Sequence, residues 1–245
     1  RHGDGSGDQP GDPAVMSRVV TVAQTDEPFV RWDWIWRNLD DLWAATQEHI
    51  VLTVIAVGVG LIISLGLSIV ALRWRKTYAP ITWVTGILYA IPSLALFAFL
   101  VPITGLTMLT AQIGLVSYTL LILIRNIVAG IDGVPESVLE AARGMGYTPR
   151  RMFIDIQLPL ALPVIMAGIR IATVTTIGLV TITALIGQGG LGFYILRGLQ
   201  FFSAIGTTQI LAGTVLSVAL AMAADLGLLG LEKLLTPWAR RKAEA

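Results

Sequence analysis

Long apolar runs separated by short polar interruptions make up most of this chain. Five runs stand out: about Ile50 to Leu72, Ile81 to Val101, Leu106 to Ile131, Leu162 to Ile186 and Gln209 to Leu235. Each is long enough to cross a bilayer as a helix, and none alternates apolar and polar residues as a half-buried strand does. In lipid only helices and closed barrels satisfy the backbone, so the pattern predicts an all-α membrane protein, a bundle of about five transmembrane helices. Pro92 followed by Ser93 predicts a bend in the second run. Gly60, Ser64 and Ser68 recur every fourth residue in the first run and predict a face for close helix packing. A further short helix is predicted near Phe193–Phe202.

The flanks differ in character. Residues 1–28 are Gly-, Asp- and Pro-rich at the start and carry no apolar period, which predicts a flexible extracytoplasmic tail. No basic stretch leads into an apolar core there, so no signal peptide is recognisable, and Met16 is a candidate internal start. Residues 29–49 crowd Trp32, Trp34, Trp36 and Trp43 among Arg31, Asp33, Arg37, Asp40 and Asp41. Tryptophans beside charges just before an apolar run suit the membrane interface. An aromatic cage for a quaternary ammonium group is the sharper alternative, and adjacency to a span favours the anchor. Residues 50–238 form the transmembrane domain, and residues 239–245 a basic tail.

One polar segment is longer than the rest, 135–163, and it predicts two short helices with a turn. Pro135 suits a first helical position, with Glu136 complementing the helix dipole. Val138, Leu139, Ala142 and Met145 share an apolar stripe, and Gly144 and Gly146 offer a left-handed end. Thr148 is a candidate cap for the second helix with Pro149 at its first position, and Met152, Phe153 and Ile156 form its apolar face. Glu140 and Arg143 are spaced i,i+3, which predicts an ion pair. A narrow apolar face between membrane spans needs a partner to cover it.

Composition narrows the function classes. At 55% apolar and 13% charged residues, with mean hydropathy +0.75, the chain is not a typical soluble domain. The absence of cysteine excludes disulfides, thiol catalysis and cysteine-ligated metals. His2 and His49 are isolated, no acidic or histidine cluster has metal spacing, and no nucleophile–base pair is recognisable. Nothing argues for nucleic-acid binding. The net charge of +1 hides a distribution. With five spans, Arg73-Arg75-Lys76, Arg143-Arg150-Arg151 and Arg240-Arg241-Lys242 all fall on one side. The positive-inside rule makes that side the cytoplasm, with the N-terminus outside and the C-terminus inside.

Charged groups inside a span cost roughly 2.5–3.5 kcal/mol near a helix centre, so each needs a reason. Arg170 and Asp225 each lie about ten residues from the cytoplasmic end of their spans, roughly 15 Å deep, which predicts an ion pair. An ion or proton relay is the competing reading. Arg125 and Asn126 lie nearer the same end of the third span and are expected to snorkel or to bond the polar segment 135–163. Gly187-Gln188-Gly189-Gly190-Leu191-Gly192 formally fits GxGxxG, but it leaves a membrane helix instead of a strand and reads as a tight turn. No GxxxxGK[ST] occurs, so the chain carries no ATP site of that kind.

Glu140-Ala141-Ala142, then Gly146, Ile156 and Leu158-Pro159 at fixed spacing, resemble the EAA signature of ABC-importer permeases. Ala90 to Leu96 (AIPSLAL), Ile186 to Gly192 (IGQGGLG), Arg125-Asn126 and Gly168-Ile169-Arg170 are similar to the osmoprotectant branch of that family, over roughly residues 45–238. The resemblance implies the permease subunit of a type I importer for glycine betaine, choline or carnitine, multi-pass in the bacterial inner membrane, working by alternating access. It implies two cytoplasmic ATPases carrying ATP and Mg, a second permease copy or paralogue, an external substrate-binding protein, and no cofactor on this chain. Segment 135–163 becomes the coupling loop, with Val138, Glu140, Ala141, Ala142, Arg143, Met145, Gly146, Met152, Phe153, Ile156, Leu158 and Pro159 as its ATPase-coupling residues. Tyr89, Pro92, Ser93, Phe97 and Tyr118 are candidates for lining the path, with bundle packing as the alternative. Competing readings are a permease of this architecture for methionine or another small solute, an ion-coupled secondary transporter, and a structural scaffold.

Overall fold

The computed structural model describes residues 29–201 and 203–240. The predicted tail of residues 1–28, Met16, Phe202, Arg241 and Lys242 lie outside the described residues. The Trp-rich stretch folds as a short helix, α1 (Trp32–Arg37), and after Asn38 the chain enters α2 (Leu39–Arg73). Asp33 sits between Arg31 and Arg37, and the hydrogen bond from Arg31 is the main cause that holds its carboxyl down at about 2. At 35 residues α2 is about 50 Å long, more than a hydrocarbon core needs, so the first helix starts well before the apolar run that announced it.

A 3₁₀ turn (Arg75–Thr77) leads into α3 (Tyr78–Ala90) and α4 (Ser93–Thr104), which meet at 94°. The bend lies at Ile91-Pro92, where the residue before proline is driven out of the helical region: Ile91 is extended, with ψ 128°. Then come α5 (Met108–Asp132), capped by the Thr107 side chain, and the short α6 (Glu136–Gly144). From Pro149 the chain is helical without a break to Ile186, 38 residues in all. It runs through α7 (Pro149–Met152), a π-helical turn (Phe153–Gln157), α8 (Leu158–Val180) and a 3₁₀ turn (Thr181–Ile186). Here the structure corrects the expected separation between a second short helix and a span starting at Leu162. The wide π turn precedes Pro159, where the ring would collide with the carbonyl four residues back in an ordinary α-helix. Proline is therefore absorbed instead of ending the helix. The chain finishes with α9 (Gly192–Gln200), α10 (Ala204–Leu235) and α11 (Pro237–Arg240).

Contacts between helices give the path through the membrane. α2 and α5 run parallel: Gln112 Nε2 donates to the Leu52 carbonyl near their starts (3.2 Å), and both Arg75 guanidinium bonds to Asp132 near their ends are 2.6 Å. The chain between them must therefore return across the membrane, so α3 and α4 together make one broken crossing. With the four continuous helices this gives five. α8 runs antiparallel to α5, with Gly168 against Asn126 and Gly130 against Ala161. α10 runs antiparallel to α8. Arg73, Arg75, Lys76, Arg143, Arg150, Arg151 and Lys233 consequently gather at one end, called the basic end below.

Two apolar layers hold the bundle. Leu52, Phe97, Leu115 and Val180 pack near the far end, and Leu123, Ile127, Ile165 and Ala172 toward the basic end. Gly60 lets α2 approach α5 closely, because a Cβ there would lie 1.9 Å from Thr119 Oγ1. Ser64 and Ser68 on the same face are also fully buried. α10 is the least enclosed of the four continuous crossings, with Val215, Val218, Met222 and Leu226 all more than half exposed.

Candidate functional site

The segment between α5 and α8 protrudes at the basic end and has a small core of its own. Val134, Leu139, Ala142 and Met152 pack together, flanked by Tyr147 and Ile156. Ala142 and Met152 thus face inward, at 0% and 9% exposed, whereas Val138, Met145 and Ile154 are apolar residues the segment exposes. Glu140 and Ala141 are exposed beside them, and Phe153 is half-buried on the following turn. Arg143 bonds Glu136 at 2.6 Å, two turns away, which corrects the expected pairing with Glu140. Glu140 has no ion-pair partner among the described residues, so it is available to another chain.

The turn between the two helices has a local cause. Gly146 alone takes a left-handed φ, +80°, with Gly144 still in the helix, and the Tyr147 amide closes back onto the Ala142 carbonyl at 3.1 Å. Thr148 Oγ1 accepts from the Arg151 amide, and Pro149 occupies the first turn of α7. Arg151 also meets Asp155 at 3.1 Å and lies 5.0 Å over the Tyr147 ring. Ile156 is half-buried where the π turn begins to merge with the span. Leu158 and Pro159 lie at the start of α8. The result is a stiff lever: a capped helix pair continuous with a crossing.

Within the membrane zone, Arg170 and Asp225 join α8 to α10 through two bonds of 2.8 and 2.9 Å. Glu232, two turns further along α10, lies 3.5 Å from the same guanidinium. One cation therefore serves two carboxylates. Arg170 and Asp225 border an open cavity of about 640 Å³ lined also by Ile171, Val174, Val218 and Met222. Asn126 donates to the Ile122 carbonyl at 2.8 Å and does not reach the coupling segment, nor does Arg125, which lines a separate cavity against α3.

The path candidates divide. Pro92 and Ser93 form the break, and the Tyr118 hydroxyl donates to the Ile91 carbonyl freed there. Tyr89 is 40% exposed and meets Tyr118 edge-on at 6.0 Å. Phe97 is 1% exposed, wedged against Gly114 in the core. The Gly187–Gly192 stretch is a packing turn: a Cβ on Gly189 would lie 2.4 Å from Ala184, and one on Gly190 2.6 Å from the Ala45 carbonyl. His49, unremarkable as an isolated residue in sequence, is fully buried against that turn and donates from Nε2 to the Ile177 carbonyl at 2.9 Å. Nothing in its neighbours along the chain signalled this tie between α2 and α8.

Five crossings, one of them broken, with a capped pair of short helices between the third and fourth, define a membrane permease of the ABC-importer class. Residues 50–237 match the family described as binding-protein-dependent transport system inner membrane component, and the chain belongs to that family. It is 38% identical to the choline transport system permease protein OpuBB of Bacillus subtilis (strain 168), over 82% of this chain and 91% of that one. It is 36% identical to the glycine betaine/carnitine/choline transport system permease protein OpuCB of the same organism, over 91% and 95%. The osmoprotectant import permease protein OsmW of Salmonella typhimurium is 35% identical, over 82% and 94%. Among solved structures, a chain of the MetNI methionine ABC transporter in an inward-facing conformation superposes with TM-score 0.67, covering 84% of this chain and 100% of that one. At 21% identity that likeness concerns the fold.

Proposed function

We propose that this chain is the membrane-spanning subunit of an ATP-driven importer for quaternary-amine osmoprotectants such as glycine betaine, choline or carnitine. The observation that carries the reading is likeness, over more than four-fifths of the chain, to permeases named for those solutes. The basic end is cytoplasmic, which puts the N-terminus outside and the coupling lever where ATP is. Two such subunits, as a homodimer or with a paralogue, stand on two ATPase subunits that hold ATP and Mg, and a binding protein delivers cargo from outside.

Val138, Met145 and Glu140 meet the ATPase groove, and Ala142 and Met152 keep the two short helices in one piece. When the ATPases close, the lever tilts. Because it is continuous with α8, and α8 is clamped to α10 through Arg170 and Asp225, the tilt passes into the bundle as a rigid-body motion. Hydrolysis resets the inward-facing state. The test is uptake into membrane vesicles of labelled glycine betaine against unlabelled choline, carnitine and methionine. Competition by the quaternary amines is expected; competition by methionine alone would reject the cargo class.

A further inference from the structure

The α3/α5 cavity has no role so far. It holds about 390 Å³, the size of a small-molecule site, and is lined by Ala79, Thr82, Trp83, Gly86, Ile87, Ala90 and Arg125. The first six of these recur at helical spacing on one face of α3, so the cavity is a groove in which Ala79, Thr82, Gly86 and Ala90 leave room beside Trp83 and Ile87. A Cβ on Gly86 would meet nothing within 4 Å. The groove ends at Ala90, beside the Ile91-Pro92 break.

Arg125 enters it from α5, seven residues before Asp132 and so roughly 10 Å in from the basic end. It is exposed, and it has no hydrogen-bond or ion-pair partner among the described residues. An unpaired guanidinium at that depth faces water or an anion, since arginine in a span turns to a cavity or a counter-charge. Trp83 is 71% exposed and stacks on no other ring among the described residues. A planar fork that fits a carboxylate and an indole face that fits an alkylammonium group therefore share one groove.

We propose that this groove is a station on the translocation path that recognises zwitterionic quaternary amines at both ends. Arg125 takes the carboxylate and Trp83 the quaternary ammonium group. Choline, which has the ammonium group but no carboxylate, leaves Arg125 unpaired and is the poorer cargo at this step. The inference rests on the importer reading above and goes further, to the residues that discriminate among its cargoes.

The experiment uses the full complex, this chain with its ATPase and binding protein, in proteoliposomes at saturating binding protein. ATP-dependent uptake of labelled glycine betaine and of labelled choline is measured for wild type, Arg125→Gln, Arg125→Lys and Trp83→Leu. Arg125→Gln should lower glycine betaine uptake at least tenfold while choline uptake holds or rises. Trp83→Leu should lower both. If Arg125→Gln fails to assemble with the ATPase, Arg125→Lys decides: it keeps the charge without the fork, and a fall of at least threefold confined to glycine betaine is expected. An equal change for both solutes in the Arg125 variants overturns the proposal. So does a change for both that follows the anionic-lipid content of the vesicles, which would make Arg125 a lipid-phosphate anchor. Wild type that moves neither solute rejects the importer reading and this station with it, whereas wild type that moves both while the Arg125 variants show no selectivity rejects the station alone.

Discussion

Arg170 on α8 holds both carboxylate oxygens of Asp225 on α10, at 2.8 and 2.9 Å, and the same guanidinium lies 3.5 Å from Glu232. The unequal count, one cation to two anions, makes the two ends of the pair non-equivalent. Asp225→Asn leaves Arg170 with Glu232 and should lower the melting temperature of the detergent-solubilised chain modestly. Arg170→Gln leaves two like charges together in an apolar zone and should lower it further, with less chain recovered from the membrane. The triple variant Arg170→Gln, Asp225→Asn, Glu232→Gln removes every charge and should recover part of the loss. Equal melting of the two single variants would contradict the asymmetry.

Gly60 and Thr119 set the distance between α2 and α5. Gly60→Ala puts a methyl group where Thr119 Oγ1 now lies, which should cost about 1–3 kcal/mol as an overpacked core contact. Thr119→Ala alone removes the obstacle and should cost less. Combining them should give a protein more stable than Gly60→Ala by itself. A double-mutant cycle on thermal stability reads the coupling, and simple additivity would mean the helices separate to accommodate the methyl group.

At Gly146 the cost of a side chain is conformational, because a Cβ there meets nothing within 4 Å while φ is +80°. Alanine should cost about 1–2 kcal/mol, asparagine less, and valine more. Retention of the ATPase subunit on affinity-purified chain should follow that order, with Gly146→Asn nearest wild type. Equal retention by all three variants would detach this turn from docking.

The Tyr118 hydroxyl is the partner of the carbonyl at the α3/α4 break. Tyr118→Phe keeps the ring, which is 5% exposed, and removes one hydrogen bond worth about 0.5–1.5 kcal/mol. Amide exchange measured by mass spectrometry should quicken around residues 91–96 and stay unchanged along α8. Unaltered exchange at the break would show that Pro92 holds the bend without Tyr118.

Features with local causes were legible in the sequence. The Thr148-Pro149 start of α7 and the glycine turn before it follow from capping and φ preference, and the EAA-like spacing around them led to the family. The depths of Arg170 and Asp225 followed from counting residues at 1.5 Å each. What depends on neighbours was not legible. Pro159 and Pro163 read as interruptions, yet both belong to one helix: Pro159 follows directly on the π turn at Phe153–Gln157, and Pro163 lies inside α8. Arg143 reads as a partner of Glu140 by spacing, yet Glu136 holds it. Ala142 and Met152 look like outward contacts until the two short helices fold on each other and bury them. A lone histidine carries no pattern, so the burial of His49 against the Gly190 turn had no signal to follow.

Energy source is the most direct test of the central claim, that a lever on this chain converts ATP-driven closure of partner subunits into solute import. The reconstituted complex in proteoliposomes, supplied with binding protein and labelled glycine betaine, is assayed with ATP enclosed and no ion gradient, and again with a sodium or proton gradient and no ATP. The account predicts accumulation with ATP, none with either gradient, and loss of accumulation in Gly146→Val. Accumulation driven by a gradient in the absence of ATP would contradict it.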